Sequence, residues 1–299
     1  DQFAAMLGRD PSTMDLHENH VGGGFGVRGE LYPEDVLVCL GALRLGHPVK
    51  WIEGRREHML SANHSREQRH YVRVAFQDDG QIVAIDDRFF HDQGAYIRTH
   101  GVRVADMTAG LMLGPYRVPN YRVAGHFRLT NKTPAATYRA PGRFESSFVR
   151  ERLMDAITTH LGLDPITVRQ RNFISSTEMP YERSLNALEV PVILDSGNYT
   201  ELLDKALLAA NWTSLQRDAA KQRKNGEAVG VGLAFFVEKT GLGPVDIVDI
   251  QMAQNGEIEI ITGASSVGQG METVIAQIVA DELNPDYRCF SVIHGQTDR

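Results

Sequence analysis

The residues of this chain best suited to chemistry lie in three short segments. They are Gly22-Gly23-Gly24-Phe25-Gly26, Thr137-Tyr138-Arg139-Ala140-Pro141-Gly142-Arg143-Phe144-Glu145 and Gly268-Gln269-Gly270-Met271-Glu272. None contains an obvious nucleophile or a cluster of metal ligands. All three offer backbone N–H groups, and the second adds guanidinium donors. That set suits the cradling of a large anionic cofactor better than direct attack on a substrate.

Each segment also has a plainer reading. Gly24-Phe25-Gly26-Val27-Arg28-Gly29 matches the glycine spacing of a dinucleotide-binding turn. The preceding Asp15–His20 is too polar for a buried parallel strand, which disfavours that use. Its glycines can equally form a flexible turn before a helix, although Phe25 among them could wall a pocket. Ser265–Gly270 could be a glycine-rich helix start with a serine cap, or an anion site at that helix's positive end, with Gln269 adding an amide. Arg139 could fork onto a carboxylate, a phosphate or an oxo group, or pair with Glu145 or Asp155 at the surface. The histidines offer less. His17-Glu18-Asn19-His20 lacks zinc spacing, and His58, His64 and His70 sit in a polar stretch, so no metal-ligating residues are assigned.

The elements that must position these segments read as mixed α+β, with hairpins in place of regular βαβ units. Glu30–Leu45 and Phe144–Leu161 read as helices, the latter burying Phe148, Leu153, Ile157 and Leu161. Thr200–Ala210 and Met271–Leu283 are further helices. Val49–Ile52 reads as a strand, Arg55–Gln68 as a polar loop and Ser214–Glu227 as a solvated segment. Asp78-Asp79-Gly80 and Asn255-Gly256 mark hairpins between Tyr71–Phe76 and Ile82–Phe89, and between Val245–Met252 and Glu257–Ile261. No internal repeat is visible. The pattern turns irregular between Ile174 and Gly197, which divides the chain into residues 1–180 and 195–299.

The 299 residues carry a net charge of −7 and are 42% hydrophobic and 23% charged, an ordinary globular composition. The absence of a long basic run gives no footprint for nucleic acid, and no apolar run approaches the ~20 residues of a membrane span. Cys39 and Cys289 read as two buried thiols in a reducing, cytoplasmic setting.

Taken in order, the glycine loop with Phe25, the Tyr138-Arg139-x-x-Gly142-Arg143 turn and Gly268-Gln269-Gly270 are not independent. With Gly46–Trp51, Asp92–Tyr96, Thr130–Pro134, Arg169–Phe173 and Asp195–Tyr199, they make the chain resemble the molybdopterin-binding large subunit of the xanthine dehydrogenase/aldehyde oxidase family. That family includes the carbon monoxide dehydrogenase large chain. The likeness covers essentially the whole chain and implies two molybdopterin-binding α+β domains, both truncated.

The resemblance implies a molybdenum hydroxylase. Its cofactor is Mo-molybdopterin, in bacterial members often the cytosine dinucleotide form, and its electrons pass to [2Fe-2S] and FAD on partner subunits or domains. A dimer of such heteromers is expected. By position, Gly24, Phe25, Gly26, Arg139, Gly268, Gln269 and Gly270 are cofactor-binding. Ala140, Pro141 and Glu30 fall at the substrate pocket. Ala140 stands where copper-containing carbon monoxide dehydrogenases carry a cysteine, so CO oxidation is not expected. Pro141 stands where some members place a stacking aromatic. Gly29 replaces the substrate glutamate of xanthine-type enzymes, with Glu30 one residue later. No catalytic residue is expected within the chain, since the family's general-base glutamate should follow Arg299 and a cofactor-contacting glutamine should precede Asp1. An aldehyde or an N-heteroaromatic compound is the implied substrate. The alternatives are an NAD-dependent dehydrogenase built on Gly24, Gly26 and Gly29, and a non-catalytic paralogue or assembly module.

Overall fold

The structure, a computed structural model, describes residues 2–238 and 245–297. Along the chain the helices are α1 (Gln2–Leu7), α2 (Pro33–Leu45), α3 (Arg55–Ser61), α4 (Gly101–Leu111), α5 (Arg143–Leu161), α6 (Pro165–Asn172), α7 (Tyr199–Ala209), α8 (Trp212–Lys224) and α9 (Met271–Leu283). The strands are β1 (Gln68–Phe76), β2 (Ile82–Gly94), β3 (Asn120–Leu129), β4 (Tyr181–Ala187), β5 (Val190–Leu194), β6 (Val248–Met252), β7 (Ile258–Thr262) and β8 (Phe290–Ile293). This bears out the α+β expectation.

Two compact units divide the chain. The first comprises residues 1–59 with 240–299, and the second residues 60–239. Each holds a three-stranded sheet of the same topology. In the second unit β1 runs antiparallel to β2, and β2 parallel to β3, with α4 between β2 and β3 in the chain. In the first unit β6 runs antiparallel to β7, and β7 parallel to β8, with α9 between β7 and β8. This repeated hairpin–helix–strand pattern is not visible in the sequence. A parallel return needs a long crossover, which each helix supplies.

The core of the second unit gathers Ile82, Ile85, Leu113, Tyr116, Met154, Ile157, Phe173, Leu203 and Phe235, among others. The β1–β2 turn leaves Ile85 and Phe89 buried while Tyr71, Arg73 and Arg88 stay exposed, the two-residue alternation of a sheet with one wet face. Pro165 at the first position of α6 and Asp164, which accepts from the Thr167 N–H at 2.8 Å, start that helix. Asn172 ends it. Its side-chain amide donates to Gly80 O at 2.9 Å and accepts from Ile82 N–H at 2.8 Å, tying α6 to the β1–β2 turn. Ile174 and Leu194, which flank the expected domain division, belong to this same core, and β4 and β5 pair as a hairpin between them.

Several local expectations are corrected. Among the described residues no strand forms over Val49–Ile52, where Trp51 and Ile52 are exposed and the run has no ladder partner. The polar stretch after it contains α3, started by the Gly54 N–H donating to Glu57 at 2.7 Å. The charged Ser214–Glu227 segment is solvated, as its composition predicts, and mostly forms α8, whose residues are good helix formers and whose basic Lys221, Arg223 and Lys224 lie at the negative end of the helix dipole. Phe148 is 62% exposed, because α5 turns Glu145, Arg150 and Glu151 inward along with Met154 and Ile157. Cys39 is half-buried and Cys289 exposed, and both thiols are free. Among the described residues no helix is long and apolar enough to cross a membrane.

Candidate functional site

The first unit brings two of the three candidate segments together. A Cβ added to Gly268 would lie 3.1 Å from Gly23 N, and one on Gly24 would lie 3.5 Å from Val267 Cβ. Gly268 has φ +113° and Gly23 φ +109°, conformations that side chains resist, so the glycines permit both the bend and the close approach. Phe25 itself adopts φ +50° and is 56% exposed, with its ring folded over Gly23. Such an outlier in a non-glycine residue is characteristic of functional loops. After it, Val27–Gly29 forms only a three-residue 3-10 turn, not the helix a dinucleotide fingerprint must open, and the preceding residues 18–26 are not a strand. Glu30 follows, buried at 5% exposure.

A cleft of about 510 Å³ opens beside these loops, lined by Gly22, Gly268, Gly270, Glu272 and His294 among others. Gly270 caps α9 at φ +74° and has no side chain to bond the first-turn N–H groups, of which that of Glu272 is taken by its own carboxylate. Gln269 is turned back onto its own loop. Its amide oxygen accepts from Val267 N–H at 2.6 Å and its amide nitrogen donates to Ser265 O at 3.2 Å. It therefore fixes the loop's shape. Across the cleft, Glu272 accepts from the Ser266 hydroxyl at 2.8 Å and from His294 Nε2 at 2.8 Å. His294 Nδ1 lies 3.4 Å from the Ser266 N–H, which fits the tautomer carrying its proton on Nε2. Its own backbone N–H, the His294 imidazole and the Ser266 hydroxyl hold the Glu272 carboxyl down at about 2. No local motif marks this polar trio in the sequence, because Ser266 and His294 are 28 residues apart.

The third segment lies in the second unit, and a residue the sequence gave no reason to single out organises it. Arg66, at φ +76°, donates from its guanidinium to Glu145 at 3.1 Å, to Tyr138 O at 3.2 Å and to Arg139 O. It lies over the Phe144 ring at 4.5 Å and the Tyr138 ring at 5.5 Å. The same Glu145 oxygen takes the Ser65 hydroxyl at 2.9 Å and the Arg66 N–H at 3.1 Å. The partner of buried Glu145 is thus Arg66, while Asp155 pairs with Arg152 and Arg169. Arg139 is exposed, Ala140 adopts φ +57° and Pro141 is buried. Gly142 presses on α4: a Cβ there would meet Met107 Cβ, Thr108 N and Val104 O at 2.6 Å.

Beneath the sheet runs a buried polar chain. Asp87 and His70 Nδ1 are 2.8 Å apart, His70 Nε2 meets Gln68 Oε1 at 3.0 Å, and Gln68 Nε2 reaches His91 Nδ1 at 3.2 Å and Thr108 at 3.0 Å. Burial drives His91 down to about 4, so it is neutral at pH 7.

Residues 1–173 match the family described as "Molybdopterin cofactor-binding domain", and residues 205–299 match a second family of the same description. The chain belongs to the molybdopterin-binding large subunits of the xanthine dehydrogenase/aldehyde oxidase family. It is 40% identical over 296 residues to the 6-hydroxypseudooxynicotine dehydrogenase complex subunit gamma of Paenarthrobacter nicotinovorans, covering 99% of this chain and 37% of that protein. It is 30% identical to the carbon monoxide dehydrogenase large chain of Hydrogenophaga pseudoflava, covering 98% of this chain and 38% of that one. Quinoline 2-oxidoreductase from Pseudomonas putida 86 superposes with a TM-score of 0.93 at 30% identity, covering 100% of this chain and 39% of that chain. The chain thus spans well under half the length of these relatives. Within the molybdopterin-binding family match, Gly24, Phe25, Gly26 and Arg139 fall in the first matched range and Gly268, Gln269 and Gly270 in the second.

Proposed function

We propose that this chain is the cofactor-holding middle of a molybdenum hydroxylase large subunit, with residues 1–180 and 195–299 belonging to its two molybdopterin-binding domains. The observation that carries this is the apposition of Gly268 to Gly23 beside the glycine-capped start of α9, a cradle that a Cβ would fill. The residues fit the group: backbone N–H donors and a positive helix end for its anionic part, and Arg139 as a guanidinium donor. When bound, the cofactor supplies two-electron oxidation of a carbon centre with water as the oxygen source. Gly268 and Gly270 let the backbone approach it, Gln269 holds that loop in shape, and Phe25 walls the site against water. Arg66, itself anchored on the Glu145 carboxylate, donates to the Tyr138 and Arg139 carbonyls and so holds the backbone that presents Arg139.

The substrate class is an aldehyde or N-heteroaromatic compound. Relatives and structural neighbours named for nicotine and quinoline support the heteroaromatic side of that choice. Ala140 has no thiolate to hold copper, so CO is not its substrate. Electrons would leave through [2Fe-2S] and FAD on partner subunits, and the cofactor would take the cytosine dinucleotide form, in a cytoplasmic dimer of heteromers. The name of the 6-hydroxypseudooxynicotine relative, which is that of a complex subunit, supports a multi-subunit assembly.

The test is molybdenum and pterin analysis of the full-length protein purified with its co-expressed neighbours. About one molybdenum per large subunit is expected, and Arg139→Ala should lower that content, or turnover, more than it lowers the thermal midpoint. A folded complex with neither metal nor pterin would sink the reading.

A further inference from the structure

The outer face of the β1–β2–β3 sheet is unlike the rest of this acidic chain. Its cross-strand rows follow the register: Arg73, Asp86 and Arg122; then Tyr71, Arg88 and Ala124; then Arg69, Phe90 and His126; then Asp92 and Arg128. The arginines of these rows outnumber Asp86 and Asp92, while the chain as a whole carries −7. Asp86 is already shared between Arg73 and Arg122, and Asp92 lies 3.1 Å from Lys132. The side chains of Arg73 and Arg122 are 78% and 73% exposed.

The arginines are also held in place. Arg88 lies 5.4 Å from the Tyr71 ring centre, and Arg128 lies 4.9 Å from that of Phe90. Guanidinium groups stacked on rings lose less freedom on binding, and they fork onto carboxylates. Exposed Arg and aromatic residues in one patch have the composition of an interface centre, not of an ordinary wet surface.

We propose that this sheet face docks an acidic segment of another polypeptide, whose Asp and Glu side chains pair with Arg88, Arg122 and their neighbours. Charge decides the occupant. A second copy offering the same face would repel it. A single-stranded nucleic acid needs a row of open aromatic faces, but the half-buried Phe90 ring is taken by Arg128 at 4.9 Å and by His126, stacked on it at 5.1 Å, which leaves Tyr71 alone exposed.

The experiment uses the full-length protein in its native assembly, with benzoylphenylalanine in place of exposed Ala124 as a photo-crosslinker. Irradiation should join Ala124's position to an Asp- and Glu-rich segment of a different polypeptide. The yield should fall about tenfold in 0.5 M salt, where surface charge is screened. Arg88→Glu with Arg122→Glu should lower it by about thirtyfold, the loss expected for an interface hot spot. Arg217→Glu on α8 should leave it unchanged, and Arg88→Gln with Arg122→Gln should give an intermediate loss. Thermal melts of each variant separate lost docking from lost folding. Cross-links confined to the same polypeptide, to a second copy or to nucleic acid would overturn the proposal. So would a partner segment without acidic residues, no cross-link in the intact assembly, or an undiminished yield in a folded double charge reversal. None of these outcomes bears on molybdenum content, so the proposal fails or stands apart from the functional reading.

Discussion

His91 shows how burial alone can set a residue's behaviour. Its ring is fully buried, and desolvation holds it near 4 against an ordinary 6.5. Above pH 6.5 the imidazole is neutral whether folded or not. As pH falls from 6.5 towards 4, the unfolded chain takes up a proton that the folded chain refuses, so stability is lost across that window. Below about 4 both states are protonated and the loss levels off. The size is on the order of 3 kcal/mol. Urea melts of the full-length protein between pH 7 and 4 should show this slope, and His91→Gln should flatten it. An equal slope in the variant would show that His91 does not cause it. The sequence shows a histidine in an alternating strand; only the packing shows that position 91 faces inward.

At the scale of elements, glycines do the most to fix the candidate site. Gly142 starts α5 at φ +70° with its Cα against the α4 backbone. Gly142→Ala would drive a methyl into Val104 O, Thr108 N and Met107 Cβ and force a left-handed conformation. A loss of about 3 kcal/mol is expected from the two strains together. A shifted urea midpoint with an unchanged slope would report it, and a midpoint within experimental error of the parent would contradict the packing. These glycines were legible as turns because glycine's freedom is a local property. What they turn against was not legible. The α5 helix was also visible by its spacing, but not its inward face. Counting apolar positions places Phe148 in the core, whereas Arg150 and Glu151 take that side because they find buried partners.

The whole second unit is tied by those partners. Glu151 accepts from Arg169 Nε at 3.0 Å, from the Phe235 N–H at 3.0 Å, from the Tyr116 hydroxyl at 3.2 Å and from Arg150 Nε at 3.3 Å. One carboxylate thus joins α5, α6 and two loops around the apolar cluster. Glu151→Ala leaves two buried guanidinium groups without it and should lower stability by about 3–5 kcal/mol. That loss should appear as one cooperative shift in denaturant, and a change under 1 kcal/mol would show the network to be dispensable. The sequence by itself determined the helices and hairpins with strong periodicity, the glycine loops and, through their order, the family. Those features depend on each residue's own backbone preferences and near neighbours. Tertiary structure alone decided that Gly268 meets Gly23, that Arg66 holds the Arg139 turn, and that five arginines line one sheet face in register with Tyr71 and Phe90. Those pairings join residues far apart in the chain, and strand register and close packing, not local propensity, choose among the partners a residue could have.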